Sequence, residues 1–196
     1  MGSLASYRRV FANPALARLF IGEFVSSIGD WLYLVALLVV VYNAGASPVV
    51  LGIVGAARIV PYILLSVPAG IAADRFDRRL ILIVTDVARG VIMLGLTALT
   101  LVNGPIFLIV ILSLLAACFS SFFSPAIGSL IPTLVRDETE LGPANAAWSS
   151  LDNLAFIIGP AAGSILIALG SIPLAFFLNA VTFVVVAAVL WRLPRE

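Results

Sequence analysis

Six long apolar stretches, at residues 15–42, 48–73, 80–102, 106–127, 145–169 and 172–191, follow one another with only short breaks between them. A hydrocarbon core about 30 Å thick takes roughly 20 residues of helix to cross, and no lipid-exposed backbone group can go unpaired inside it. Stretches of this length therefore predict six transmembrane helices and an all-α integral membrane fold with no soluble domain. Composition agrees: 62% of the 196 residues are hydrophobic and 11% charged, against about 25% charged in soluble domains, and mean hydropathy is +1.19. Arg8 and Arg9 ahead of the first stretch resemble the charged start of a signal peptide. The apolar segment that follows is longer than the roughly 7–15 residues of such a peptide, so it is expected to stay attached as the first transmembrane helix.

Charge sorts the breaks into two sets. The first, third and fifth hold turn formers and no charge: Asn43, Gly45, Ser47 and Pro48, then Asn103, Gly104 and Pro105, then Gly170, Ser171 and Pro173. Arginine falls in the N-terminal segment (Arg8, Arg9, Arg18), the second break (Arg75, Arg78, Arg79), the fourth (Arg136) and the C-terminus (Arg192, Arg195). The positive-inside rule then puts both termini in the cytoplasm, as an even helix count also requires. Five or seven helices would carry Arg192 or the second-break cluster to the wrong side. Net charge is +1, without a basic run interleaved with aromatics, so nucleic acid is not an expected partner. The lone Cys118 offers no disulfide or multi-cysteine metal site, and with no histidine the usual zinc sites are absent. No cofactor is called for.

The second break reads Gly70-Ile-Ala-Ala-Asp74-Arg75-Phe-Asp77-Arg78-Arg79. Gly70 would let two helices approach closely, Asp74 could cap the third helix or meet another helix's N-terminus, and the arginines hold the loop cytoplasmic. In the fifth stretch, Ala155-x-x-x-Gly159-Pro160-Ala-Ala-Gly163-Ser164 places a proline among small residues. Pro160 removes one helix hydrogen bond and can bend the helix, and the small residues admit a neighbour at the bend, as a gate would need. Gly52 with Ala56, like Gly159 with Gly163, has the spacing of helix-packing pairs.

The second-break signature resembles the loop between helices two and three of the major facilitator superfamily, with Asp77 where a glycine usually precedes the paired basic residues. The fifth-helix pattern is similar to one found in that superfamily's exporters, with Ala155 and Ser164 in place of glycines. Phe123-Ser124-Pro125-Ala126, Ile131-Pro132-Thr133-Leu134-Val135, Ala144-Asn145-Ala146, Asn179 and Phe183 extend the likeness to the branch containing siderophore and macrolide efflux proteins. The resemblance implies one six-helix half of a twelve-helix transporter, built as a 3+3 inverted repeat, with substrate held between two halves. It also implies that the second-break loop steadies the outward-open state against the other half. Three readings follow for this chain: pairing with a second six-helix half or with a copy of itself, part of a longer protein, or a scaffold kept without transport.

Six charges lie within the apolar stretches: Glu23, Asp30, Arg58, Asp86, Arg89 and Asp152. Each costs at least about 2.5 kcal/mol at membrane depth, so by default such groups pair, face a cavity or mark a transport path. Counted from the first loop, Asp30 and Arg58 fall roughly 20 and 15 Å deep on consecutive antiparallel helices, close enough to pair as a substrate or proton site. Asp86 and Arg89 are spaced to bond along one helix face. Asp152 reaches their level from the fifth helix, where the three could line a cytoplasmic vestibule, and Glu23 is either a further member of the substrate or proton pathway or a group near the interface. An intramembrane serine protease would need a histidine, and Ser27-Ile28-Gly29-Asp30 lacks the first glycine of the aspartyl type. Enzyme activity is therefore not expected, and the resemblance implies export of a small amphipathic molecule across a bacterial inner membrane by alternating access, with lipid, substrate and proton as partners.

Overall fold

The structure, a computed structural model, describes residues 3–192, with side chains from Tyr7 onward; Arg195 lies outside the described residues. Within them the chain folds into helices α1 (Ser3–Phe11), α2 (Pro14–Asn43), α3 (Pro48–Ala57), α4 (Ile59–Arg75), α5 (Arg78–Leu101), α6 (Ile106–Ser120), α7 (Phe123–Leu134), α8 (Leu141–Ala168) and α9 (Ile172–Trp191), with a 3-10 turn at Glu138–Glu140. Taken as continuous segments they supply six helices long and apolar enough to cross a membrane. Span 1 is α2, span 2 joins α3 and α4, span 3 is α5, span 4 joins α6 and α7, span 5 is α8 and span 6 is α9.

Local chemistry sets the ends. Asn13 accepts from the Ala15 backbone N–H to start span 1, and Ser47, ahead of Pro48, accepts from Val50 N–H to start span 2. Asp77 accepts from Leu80 N–H and so caps span 3. Asp74, for which this cap was one of two expected roles, is exposed in the last turn of α4. Spans 2 and 4 are each interrupted, at Arg58 and at Ser121–Phe122. A proline follows each break: Pro61 cannot donate to Ala57, nor Pro125 to Ser121.

Span 1 packs on spans 5 and 6, span 4 packs on spans 2 and 3, and spans 3 and 6 pack on each other. Exchanging spans 1, 2 and 3 for 4, 5 and 6 maps this pattern onto itself. Because successive spans alternate in direction, spans 1 and 4 run oppositely, and the exchange has the pattern of a 3+3 inverted repeat. Spans 2 and 5 lie at the two flanks and are the least enclosed.

The ends of the bundle differ as the charges do. Where span 1 begins, Asn13 donates to Leu134 O and Arg136 donates to Ala12 O. Arg79 donates from Nε to Leu190 O at 2.6 Å and from Nη2 to Trp191 O, capping the last turn of span 6. The three uncharged loops meet at the opposite end, around a cavity of about 480 Å³ touched by Asn43, Asn103 and Gly170. Two apolar clusters fill the interior, one towards each end. Phe20, Leu82, Ile131 and Leu190 belong to the first, and Tyr33, Met93, Phe176 and Phe183 to the second.

Glycine separates two kinds of helix contact. A Cβ on Gly159 would collide with Trp31 and lie 3.0 Å from Ile28 O, and one on Gly163 would lie 3.3 Å from Leu32 Cα, so span 5 reaches the backbone of span 1 through these positions. Gly70 and Gly52 face open space, and the close approaches expected there are absent. Gly159→Leu is expected to destabilise the chain by about 2 kcal/mol or more through overpacking. Gly70→Ala should leave the melting temperature in detergent unchanged or slightly raised.

Candidate functional site

Between the two apolar clusters lies a polar layer built from spans 1, 3 and 6. Arg89, 3% exposed, enters it from span 3. Its Nη2 bonds Asp86 Oδ1 one turn away, and its Nη1 lies 3.3 Å from Asp30 Oδ2 on span 1. The guanidinium also stacks over Phe183 at 4.2 Å and Phe123 at 5.4 Å. Asn179 of span 6 donates to Asp30 Oδ1 at 3.4 Å, and the Thr182 hydroxyl donates to Asn179 O at 2.8 Å. Gly29 makes this possible, since a Cβ there would collide with Asn179 Oδ1 and stand 2.9 Å from Thr182 Oγ1.

Sequence spacing anticipated the Asp86–Arg89 bond but assigned Asp30 the wrong partner. Asp30 pairs with Arg89, while the Arg58 guanidinium lies over the Tyr33 ring, 4.7 Å from its centroid. Of the two positions expected for Glu23, the buried one holds: it is 1% exposed and interacts electrostatically with Asp86, Arg89 and Asp30. Its Oε1 and Asp86 Oδ2 have no hydrogen-bond partner among the described residues. Three carboxyl groups thus converge on one guanidinium. Asp152 stays outside this cluster, exposed on span 5, with its carboxyl group against the Ser27 side chain.

Asp30, Arg58, Arg89 and Asp152 all open onto a cavity of about 510 Å³ walled by spans 1, 2, 4 and 5, with Arg89 reaching it from span 3. Trp31, Leu34, Ile59, Tyr62 and Phe123 give it apolar and aromatic surface. Both interrupted spans contribute at their breaks, span 2 through Arg58 and Ile59 and span 4 through Ser120 and Phe123. The volume is of the size that holds a small organic ligand, and the lining combines apolar wall with a few charges, as such sites do. Tyr33 and Tyr62 were missed in the sequence. Their signal was helical spacing, one turn beyond Asp30 and one turn beyond Arg58.

The two motifs lie apart from this cavity. In the second-break loop, Asp74 and Arg75 are exposed, Gly70 and Arg78 are half-buried, and Arg79 is buried against span 6. Span 5 runs on through Pro160, with Gly159 and Gly163 against span 1.

Comparison with known proteins identifies the family. The family model described as Major Facilitator Superfamily matches residues 19–196. The chain belongs to that superfamily. It is 32% identical over 189 residues to the Uncharacterized MFS-type transporter YfiS of Bacillus subtilis, covering 95% of this chain and 44% of that protein. Over 177 residues it is 30% identical to the Staphyloferrin A transporter of Staphylococcus aureus, covering 89% of this chain and 44% of the relative. With the Multidrug efflux pump Tap of Mycobacterium tuberculosis it shares 30% identity over 161 residues, 80% of this chain and 38% of the pump. The chain therefore spans less than half the length of the curated relatives it matches. As a superfamily member with six apolar spans it is a multi-pass membrane protein of a transporter family.

Removing Arg89 alone would strand Asp86 in the core. Arg89→Gln is expected to cost about 3–5 kcal/mol, read as a fall in melting temperature. The double variant Asp86→Asn/Arg89→Gln should recover more than half of that loss.

Proposed function

We propose that the chain is the N-terminal six-helix half of an exporter that moves a small amphipathic organic molecule across a bacterial plasma membrane by alternating access. Both termini lie in the cytoplasm in this reading, because the arginine-bearing breaks gather at one end of the bundle and the uncharged breaks at the other. The observation that carries the proposal is the charged cavity. Two carboxyl groups and two guanidinium groups opening onto one space at membrane depth are costly, and they recur where a transporter holds substrate or coupling ions. The names of relatives, an efflux pump among them, favour export.

Span 5 supports a second six-helix body beside this one. Ser149, Ser150, Asp152 and Asn153 are all exposed along a helix long enough to cross a membrane, a surface that lipid solvates poorly. A facing half or a second copy of the chain would cover it and close the open side of the cavity. In this reading the second-break loop (Gly70, Asp74, Arg75, Arg78, Arg79) contacts that body from the cytoplasmic side. Gly159, Pro160 and Gly163 form the pivot between spans 1 and 5. Glu23, with a carboxyl oxygen lacking a partner, is the candidate proton carrier beside Asp30.

The test is efflux of a panel of fluorescent amphiphiles from liposomes containing the purified chain, alone and co-reconstituted with a second six-helix half, with oligomeric state measured in parallel. Proton-gradient-driven efflux by a paired species, reduced at least tenfold by Asp30→Asn, is expected. A chain inert in every assembly would sink the reading.

A further inference from the structure

Four charged side chains open onto the cavity, and two of them are already committed. Asp30 is held by Arg89 and Asn179, and Arg89 by Asp86 and Asp30. The other two are available. Arg58 makes no salt bridge among the described residues; one face of its guanidinium rests on Tyr33, and its Nε is buried without a hydrogen-bond acceptor. Asp152 has the Ser27 side chain beside it and no cation within ion-pair distance among the described residues. Arg58 sits on span 2 and Asp152 on span 5, the two flanks of the bundle, so the free cation and the free anion belong to opposite walls of one cavity.

Resting on the transport reading above, we propose that this cavity selects zwitterionic amphiphiles, taking a ligand carboxylate at Arg58 and a ligand ammonium at Asp152, with the apolar body of the ligand against Trp31, Tyr62 and Phe123. Alternating access encloses the bound molecule and removes water from the site. A purely cationic ligand would then leave Arg58 desolvated and unpaired, and a purely anionic one would do the same to Asp152. Stranding a charge costs more than a matched pair returns, so each single-charge ligand is rejected by the group it fails to meet. A zwitterion satisfies both and leaves the site's charge balance unchanged. Guanidinium suits the carboxylate end, since its planar edge matches carboxylate geometry while its face stays on an aromatic ring.

The experiment measures binding of four forms of one radiolabelled aromatic dipeptide, Phe-Phe, by equilibrium dialysis against the full chain in lipid nanodiscs, as the chain itself and co-reconstituted with a second six-helix half, and the tightest-binding assembly is the one scored. The forms are free at both ends, amidated at the carboxyl end, acetylated at the amine, and blocked at both. The free dipeptide is expected to bind at least tenfold more tightly than any blocked form. Arg58→Gln should abolish its preference over the amide alone, and Asp152→Asn its preference over the acetylated form alone. Equal binding of all four forms, no binding of the free form, or preferences that survive both substitutions would overturn the proposal. The ranking on the unsubstituted chain tests it even where a variant fails to fold. Binding and efflux are read separately: efflux of amphiphiles without zwitterion preference removes this inference and leaves transport standing, while selective binding without efflux in any assembly removes transport.

Discussion

Arg89 carries a full positive charge into the middle of a bundle whose surroundings are hydrocarbon. A guanidinium cannot shed its proton there, so the structure has to bring anions and ring faces to it. Asp86 comes from the same helix, Asp30 from span 1, and Phe183 and Phe123 from spans 6 and 4. Four of the six spans are thus registered against one another by a single side chain. Their relative heights and rotations are fixed by a directional polar contact, where apolar packing alone would tolerate sliding. The apolar clusters above and below the layer then add contact without having to specify alignment.

This explains which parts of the molecule could be read from the chain. The spans, their number and the sorting of arginine depend on hydropathy and charge along the sequence, and those appear in the letters. The Asp86–Arg89 contact depends only on helical spacing. The partner of Asp30 depends on how span 1 is rotated against span 3, and that rotation is set by the collision of any side chain at position 29 with Asn179, 150 residues away. Depth along the helix was enough to put Asp30 and Arg58 near one cavity, but not to choose between two arginines. Glu23 shows the same limit: distance from the start of a helix gives height in a membrane and says nothing about which side faces inward, so its burial beside Asp86 and Arg89 does not appear in the letters.

Glycine shows the limit in another form. Gly70 and Gly159 both occupy motif positions among small residues, yet one faces open space and the other presses on the backbone of span 1. Residue type states what is permitted at a position, and the neighbouring helix decides whether the permission is used. In the second-break loop, Asp77 does the capping that was one of two roles open to Asp74, so the residue in place of the loop's usual glycine gives a defined helix start. Arg79, which the pattern offers as one of several topology-setting charges, is instead the cap of the last helix and ties the middle of the chain to its final span.

The breaks in spans 2 and 4 have a mechanical meaning. Bending a continuous helix normally requires stretching or losing hydrogen bonds on its outer side. At Ala57 and Ser121 the donor that would complete the ladder is a proline nitrogen and has no hydrogen, so flexing there gives up no bond that a straight helix would have had. Each wall is therefore two stiff rods on a soft joint, and both joints sit at the level of the charged cavity. In span 4 the half after the joint is anchored, since Phe123 stacks on Arg89, and the half before it, α6, is the part left to tilt, so motion at one mouth of the cavity need not be transmitted to the other.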